Sequence, residues 1–113
     1  MVDLLDEADW VGISPTVLGE LWIGFLAGRQ PERNEQRLKE FLAHPVVEAL
    51  TLDQNVSRLF AEITLDLKAA GTPIPTNDIW IAASAARVGA TVLTYDEHFR
   101  KIHRVGSRIL PVP

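Results

Sequence analysis

Two rhythms of apolar residues run along this chain, one of helices and one of short strands. Ser14 is a favoured helix N-cap and Pro15 suits the first helical position. After them Val17, Leu18, Leu21, Trp22 and Phe25 recur at near 3.6-residue spacing, which predicts a helix ending at Gly28. Pro31 opens a second helix over 32–43, with Leu38, Phe41 and Leu42 as its apolar face and a charged remainder. Asp53 caps a third, whose stripe is Val56, Leu59, Phe60, Ile63 and Leu67 and whose end is Gly71. A fourth is predicted over 77–88, with the small-residue stripe Ile79, Ala82, Ala83 and Ala86.

Short apolar runs separate these helices. Residues 10–13, 46–52 and 90–94 read as strands, and 108–112 as a last edge strand. Residues 3–9 read as the end of a helix, and 97–102 as a short helical turn. Strands alternating with helices imply an α/β fold with a parallel sheet covered on both faces. The length, 113 residues, suits a single domain spanning 1–113.

Composition narrows the chemistry. The hydrophobic fraction of 47% is that of a globular protein. The absence of cysteine excludes disulfides, thiolate metal sites and a cysteine nucleophile. The start of the chain, Val2-Asp3-Leu4-Leu5-Asp6-Glu7, is acidic where a signal peptide is basic, so a soluble, cytoplasmic protein with no membrane association is expected. A net charge of −4 argues against a simple basic-patch nucleic-acid binder, although Arg100, Lys101, Arg104 and Arg108 make the C-terminal stretch locally basic. That stretch is either a solvated surface or a strip contacting phosphates.

The candidate chemistry sits in Pro75-Thr76-Asn77-Asp78-Ile79-Trp80-Ile81-Ala82-Ala83 and Leu93-Thr94-Tyr95-Asp96. Asp78 falls in the first turn of a helix and Asp96 just beyond a strand. In an open α/β sheet those positions lie at one rim, where ligands bind. Two carboxylates brought together there repel unless a cation lies between them, and hard oxygen donors suit Mg²⁺ or Mn²⁺. Each acid also has an ordinary explanation, the helix dipole for Asp78 and turn chemistry for Asp96. Glu20 lies off the apolar stripe of its helix, as a solvated glutamate would. Asn77 and Thr94 suit either capping or the orienting of carboxylates. His98 and His103 lack metal-binding helical spacing, which points to a surface role for both. Trp10, Trp22 and Trp80 are expected to fill core or interface space. No glycine-rich phosphate loop, dinucleotide fingerprint or serine elbow is present.

Together with Ile13-Ser14-Pro15-Thr16-Val17-Leu18-Gly19-Glu20-Leu21 and Glu97-His98-Phe99, these motifs resemble the PIN-domain ribonucleases, and within them the VapC-like toxins of bacterial toxin–antitoxin pairs. The resemblance covers almost all of the chain in the right order. It implies a PIN-like three-layer α/β/α fold and an acidic cluster of Glu20, Asp78 and Asp96, both catalytic and holding Mg²⁺ or Mn²⁺. It further implies cleavage of RNA by metal-activated water, with Asn77, Thr94 and His98 in support and Arg100, Lys101 and Arg104 on RNA phosphates. The partners it implies are an RNA substrate, a cognate antitoxin and a second copy in a homodimer.

Two departures follow. PIN domains begin with a central strand ending in an Asp, and this chain lacks that strand, its Asp and most of the following helix. Where a further acid often follows the third motif, this chain has His98. The alternative to an active nuclease is therefore a catalytically inactive remnant that binds an antitoxin or itself.

Overall fold

A computed structural model of the chain describes residues 7–112. The helix end expected over 3–9 lies largely outside the described residues. The backbone divides into two compact units that meet in sequence between Thr51 and Leu52.

The first unit runs β1 (Val11–Ile13), α1 (Pro15–Ala27), α2 (Pro31–Leu42) and β2 (Val47–Ala49). β1 and β2 pair in parallel, Val11 opposite Val47 and Ile13 opposite Ala49, and Leu50 N–H extends the ladder by donating to Ile13 O at 2.8 Å. β2 is shorter than the 46–52 expected, because a three-residue partner can pair no more of it. α1 starts as its sequence dictates: the Ser14 hydroxyl accepts from Val17 N–H at 3.2 Å, ahead of Pro15. Its stripe of Val17, Leu18, Leu21, Trp22 and Phe25 is only half-buried, and Ile23 and Leu26 are exposed. Gly28 ends it in extended backbone (φ −78°, ψ 178°) rather than in a left-handed cap. In α2, Leu38 is the buried anchor.

Trp10 does not fill a core. It is 41% exposed, and its indole N–H donates to Glu48 Oε2 at 2.9 Å. Gly12 makes room for it, since a Cβ there would stand 2.4 Å from the ring.

The second unit runs α3 (Gln54–Ala70), α4 (Thr76–Arg87), β3 (Thr91–Thr94), a 3₁₀ turn (Glu97–Lys101) and β4 (Gly106–Ile109). Asp53 Oδ1 caps α3 by accepting from Val56 N–H at 2.9 Å, and Gly71 ends it at φ +68°, a left-handed conformation open to glycine. α4 packs mainly on α3 and also on β3. Between them Val56, Ile63, Leu67, Ile79, Ala82, Ala83, Val92, Phe99 and Ile102 form one core, in which Ile63 is wholly buried. The alanines on α4 let the helices approach closely. Leu59, Phe60 and Trp80 flank this core, the last two stacked with ring centroids 3.9 Å apart.

β3 and β4 are also parallel, Thr91 opposite Gly106 and Thr94 opposite Ile109. β4 begins two residues before the expected 108–112. Gly106 places no side chain against Thr91, so pairing can start there. The predicted parallel pairing therefore holds in both ladders, each of two strands. No helix among the described residues is long and apolar enough to cross a membrane.

Candidate metal centre

Asp78 is the third residue of α4, in the first turn, where the helix dipole favours a negative charge; its own N–H donates to Pro75 O at 3.1 Å. Thr76 and Asn77 precede it in the same turn. Pro75 stands at the cap and supplies no side-chain hydrogen bond, so the start of α4 is not closed by its own cap. Asn77 is exposed.

Asp96 and His98 stand on the segment that leaves β3. Local hydrogen bonds at two-residue steps shape this segment. Thr94 Oγ1 accepts from Asp96 N–H at 3.0 Å, and Asp96 Oδ1 accepts from His98 N–H at 3.1 Å. Such side-chain-to-backbone bonds are the usual chemistry of Thr and Asp in turns. Thr94 is also fixed by its carbonyl, which receives Leu110 N–H at 2.7 Å. Phe99, next in sequence, is buried in the core and pins the turn from beneath.

The result brings three side chains together. His98 Nε2 lies 2.5 Å from Asp78 Oδ2, and His98 Nδ1 lies 2.8 Å from Asp96 Oδ1. One ligand atom from each of the three residues lies within 4.8 Å of the others. The Asp78 and His98 side chains are about a fifth exposed, whereas that of Asp96 is 51% exposed, so the cluster opens to solvent on the Asp96 side. Two carboxylates and an imidazole are a donor set that fits a divalent cation.

His98 thus takes a central place where sequence spacing suggested a surface role. The helical i,i+4 rule missed it, because the relevant spacing is the two-residue step from the extended Asp96 into a 3₁₀ turn. The run Thr94-Tyr95-Asp96-Glu97-His98, polar at every second position, was the available signal. His103 is exposed, as expected. Glu20 stands on α1 in the first unit with its side chain exposed.

The basic residues diverge. Arg104 is bound to its own protein: its Nε donates to Asp66 Oδ2 at 2.5 Å and its Nη1 to Glu62 Oε2 at 2.5 Å. The hydrogen bond from Arg104 holds the Asp66 carboxyl below the usual aspartate range. Arg104 therefore ties α3 to the loop before β4, a role its sequence neighbourhood did not reveal. Arg100 and Lys101 are exposed on the 3₁₀ turn, Arg100 lying 3.6 Å from Glu97.

This fold recurs in known proteins. The chain is 37% identical over 91 residues to ribonuclease VapC4 of Mycobacterium tuberculosis, covering 80% of this chain and 69% of the relative. It is 33% identical over 106 residues to ribonuclease VapC5 of the same organism, covering 91% and 78%. The structure superposes on VapBC2 from Rickettsia felis, solved bound to a DNA fragment from its promoter, with a TM-score of 0.83 and 27% identity over 96% of this chain and 80% of that one. Residues 1–105 match the PIN domain, and the chain belongs to that family.

Proposed function

We propose that this chain is a metal-dependent endoribonuclease and the toxin of a bacterial toxin–antitoxin pair. The observation that carries this reading is the convergence of Asp78, Asp96 and His98 on one point at the start of α4. The ribonuclease names of relatives at 37% and 33% identity support it and weigh against an inactive remnant.

Asp78 and Asp96 would hold Mg²⁺ or Mn²⁺. When bound, such an ion offers Lewis-acid charge to the phosphate and makes nearby water more acidic. The rest is done by the chain. Asp78 is anchored by a helix packed on a rigid core, so its carboxylate keeps one position. Thr94 fixes the backbone of Asp96, and the open side at Asp96 is where a phosphodiester can approach. Arg100 and Lys101, on the turn that follows, supply positive charge to neighbouring phosphates; Arg104 is paired with Glu62 and Asp66 and joins them only by exchanging those partners. Glu20 remains a catalytic acid of this reading on its motif rather than on its geometry. An antitoxin protein is the expected partner, as the VapBC name of the superposed complex suggests. The toxin is expected to act as a homodimer in the cytoplasm.

The test is RNA cleavage by the purified chain with Mn²⁺, with and without EDTA, beside Asp78→Asn. Cleavage that stops with EDTA and is lost in the variant is expected. Equal cleavage by both proteins, or none by either, rejects the nuclease reading.

A further inference from the structure

The β3–β4 ladder has two faces, and the core of the second unit covers one of them. On that side Val92 is buried, with Thr94, Ser107 and Ile109 half-buried. The alternate positions, Thr91 and Leu93 on β3 and Gly106 and Arg108 on β4, are exposed. Side chains two residues apart in a strand share a face, and Leu93 is the register partner of Arg108. Tyr95, the next alternate residue once β3 has ended, is 56% exposed and Leu93 is 45% exposed, so an apolar and aromatic strip lies open to solvent.

Position and charge say what this strip meets. Tyr95 stands in sequence between Thr94 and Asp96, so the strip runs up to the open, Asp96 side of the cluster. Arg108 beside it has no ion pair among the described residues. No acid follows Glu97 in the sequence, whereas Arg100, Lys101 and Arg108 are all exposed. An exposed aromatic ring with cationic side chains around it is the arrangement that binds single-stranded nucleic acid: the ring stacks on a base and the cations track the phosphates.

We infer that Tyr95 and Leu93, with Arg108 beside them, form a stacking platform for an unpaired base of the RNA, next to the phosphate that meets the cluster. The inference rests on the proposed ribonuclease reading and deepens it: the substrate is single-stranded where it is cut. A base inside a duplex is covered on both faces by its neighbours, and only an unstacked base is free to lie on Tyr95. Because every base has a π-face, the platform selects strandedness more than sequence. A protein partner would also cover Leu93 and Tyr95, but the unpaired guanidinium and the adjoining phosphate approach favour RNA on this face.

The experiment is fluorescence anisotropy of a short labelled single-stranded RNA, and of the same RNA annealed to its complement, in EDTA so that cleavage is off. Wild type, Tyr95→Ala, Tyr95→Phe and Arg108→Ala are compared, with circular dichroism and sedimentation of each. The chain has a single tyrosine, so its ring lines in the NMR spectrum are assigned without ambiguity. Wild type should bind the single strand about tenfold more tightly than the duplex, and Tyr95→Ala should lose about tenfold on the single strand and little on the duplex. Tyr95→Phe should keep wild-type affinity, and Arg108→Ala should weaken both RNAs and lower the salt slope by about 1. Single-stranded RNA should move the tyrosine ring lines upfield in the wild type. Unmoved ring lines with RNA bound, or a folded Tyr95→Ala that binds both RNAs as wild type does, overturns the inference; Mn²⁺-dependent cleavage by the same proteins then shows whether the nuclease reading stands. If Tyr95→Ala is misfolded, the wild-type ring lines decide alone. Self-association that Tyr95→Ala abolishes, with RNA affinity unchanged, makes the strip a protein interface and also overturns the inference. Neither binding nor cleavage of RNA by the folded wild type overturns both.

Discussion

Asp96 performs two tasks that one pair of substitutions can separate. Its Oδ1 accepts the His98 backbone N–H at 3.1 Å and so opens the 3₁₀ turn, and its charge serves the cluster with Asp78 and His98. Asp96→Asn keeps an amide oxygen for the turn and removes the charge; Asp96→Ala removes both. The ion-pair share of stability is small, since the Asp96 side chain is 51% exposed and exposed pairs contribute about 0–1 kcal/mol. Loss of a capping oxygen costs about 0.5–2 kcal/mol. Asp96→Asn should therefore stay within about 0.5 kcal/mol of wild type, and Asp96→Ala should lie about 1 kcal/mol below it. Metal affinity should follow charge instead, falling by about 10-fold or more in both variants. Urea denaturation without metal measures the first quantity and Mn²⁺ titration the second. Equal stability losses in the two variants, or Mn²⁺ affinity retained in Asp96→Asn, would refute the assignment of the two tasks to one carboxylate.

Other consequences follow from packing and charge. Ile63 is 0% exposed between α3 and α4, so Ile63→Ala should cost about 2–5 kcal/mol by urea denaturation; a loss under about 1 kcal/mol would mean the core repacks freely. Gly12→Ala should displace the Trp10 ring and break its bond to Glu48, costing about 1 kcal/mol and altering tryptophan fluorescence, and an unchanged spectrum would contradict the close approach. Asp66 has its folded pKa depressed by Arg104, so its contribution to stability is present above the ordinary aspartate pKa and is lost as pH falls through the lower, folded value. Arg104→Ala should make the acid limb of the melting temperature against pH shallower, and an identical limb would show that the pair is energetically silent.

Helices were legible wherever a local signal sufficed. Ser14 with Pro15, and Asp53 with Gly71, mark the ends of α1 and α3 through contacts within a few residues, and both Ser14 and Asp53 cap as their types suggest. Strand limits were less legible, because β2 and β4 are cut to length by partners distant in sequence. The apolar stripe of α1 shows the limit of periodicity: it gives the helix and its face but not the depth to which that face is covered. The same holds for Trp10, whose exposure depends on Gly12 and Glu48, and for Arg104, whose carboxylates lie 38 and 42 residues away.

Asp78 and Asp96 were visible as residues before they were visible as a site. What joins them is a core assembled from distant segments: Ile79 seats the first turn of α4, and Phe99 seats the turn after β3, both in the cluster around Ile63. The side chains of Asp78 and His98 are thus presented by residues immediately following them that are buried. That arrangement explains why the cluster can hold like charges close together. The repulsion between two carboxylates acts against two anchored elements rather than two mobile loops, so separation would require unseating Ile79 or Phe99. Burial of large apolar side chains is worth about 1.5–3 kcal/mol each, so Ile79 and Phe99 together are of the same order as the about 4 kcal/mol between two unit charges 4 Å apart near a protein surface. The core can therefore hold the three donors together before any cation arrives, and binding then spends little of its free energy on assembling them.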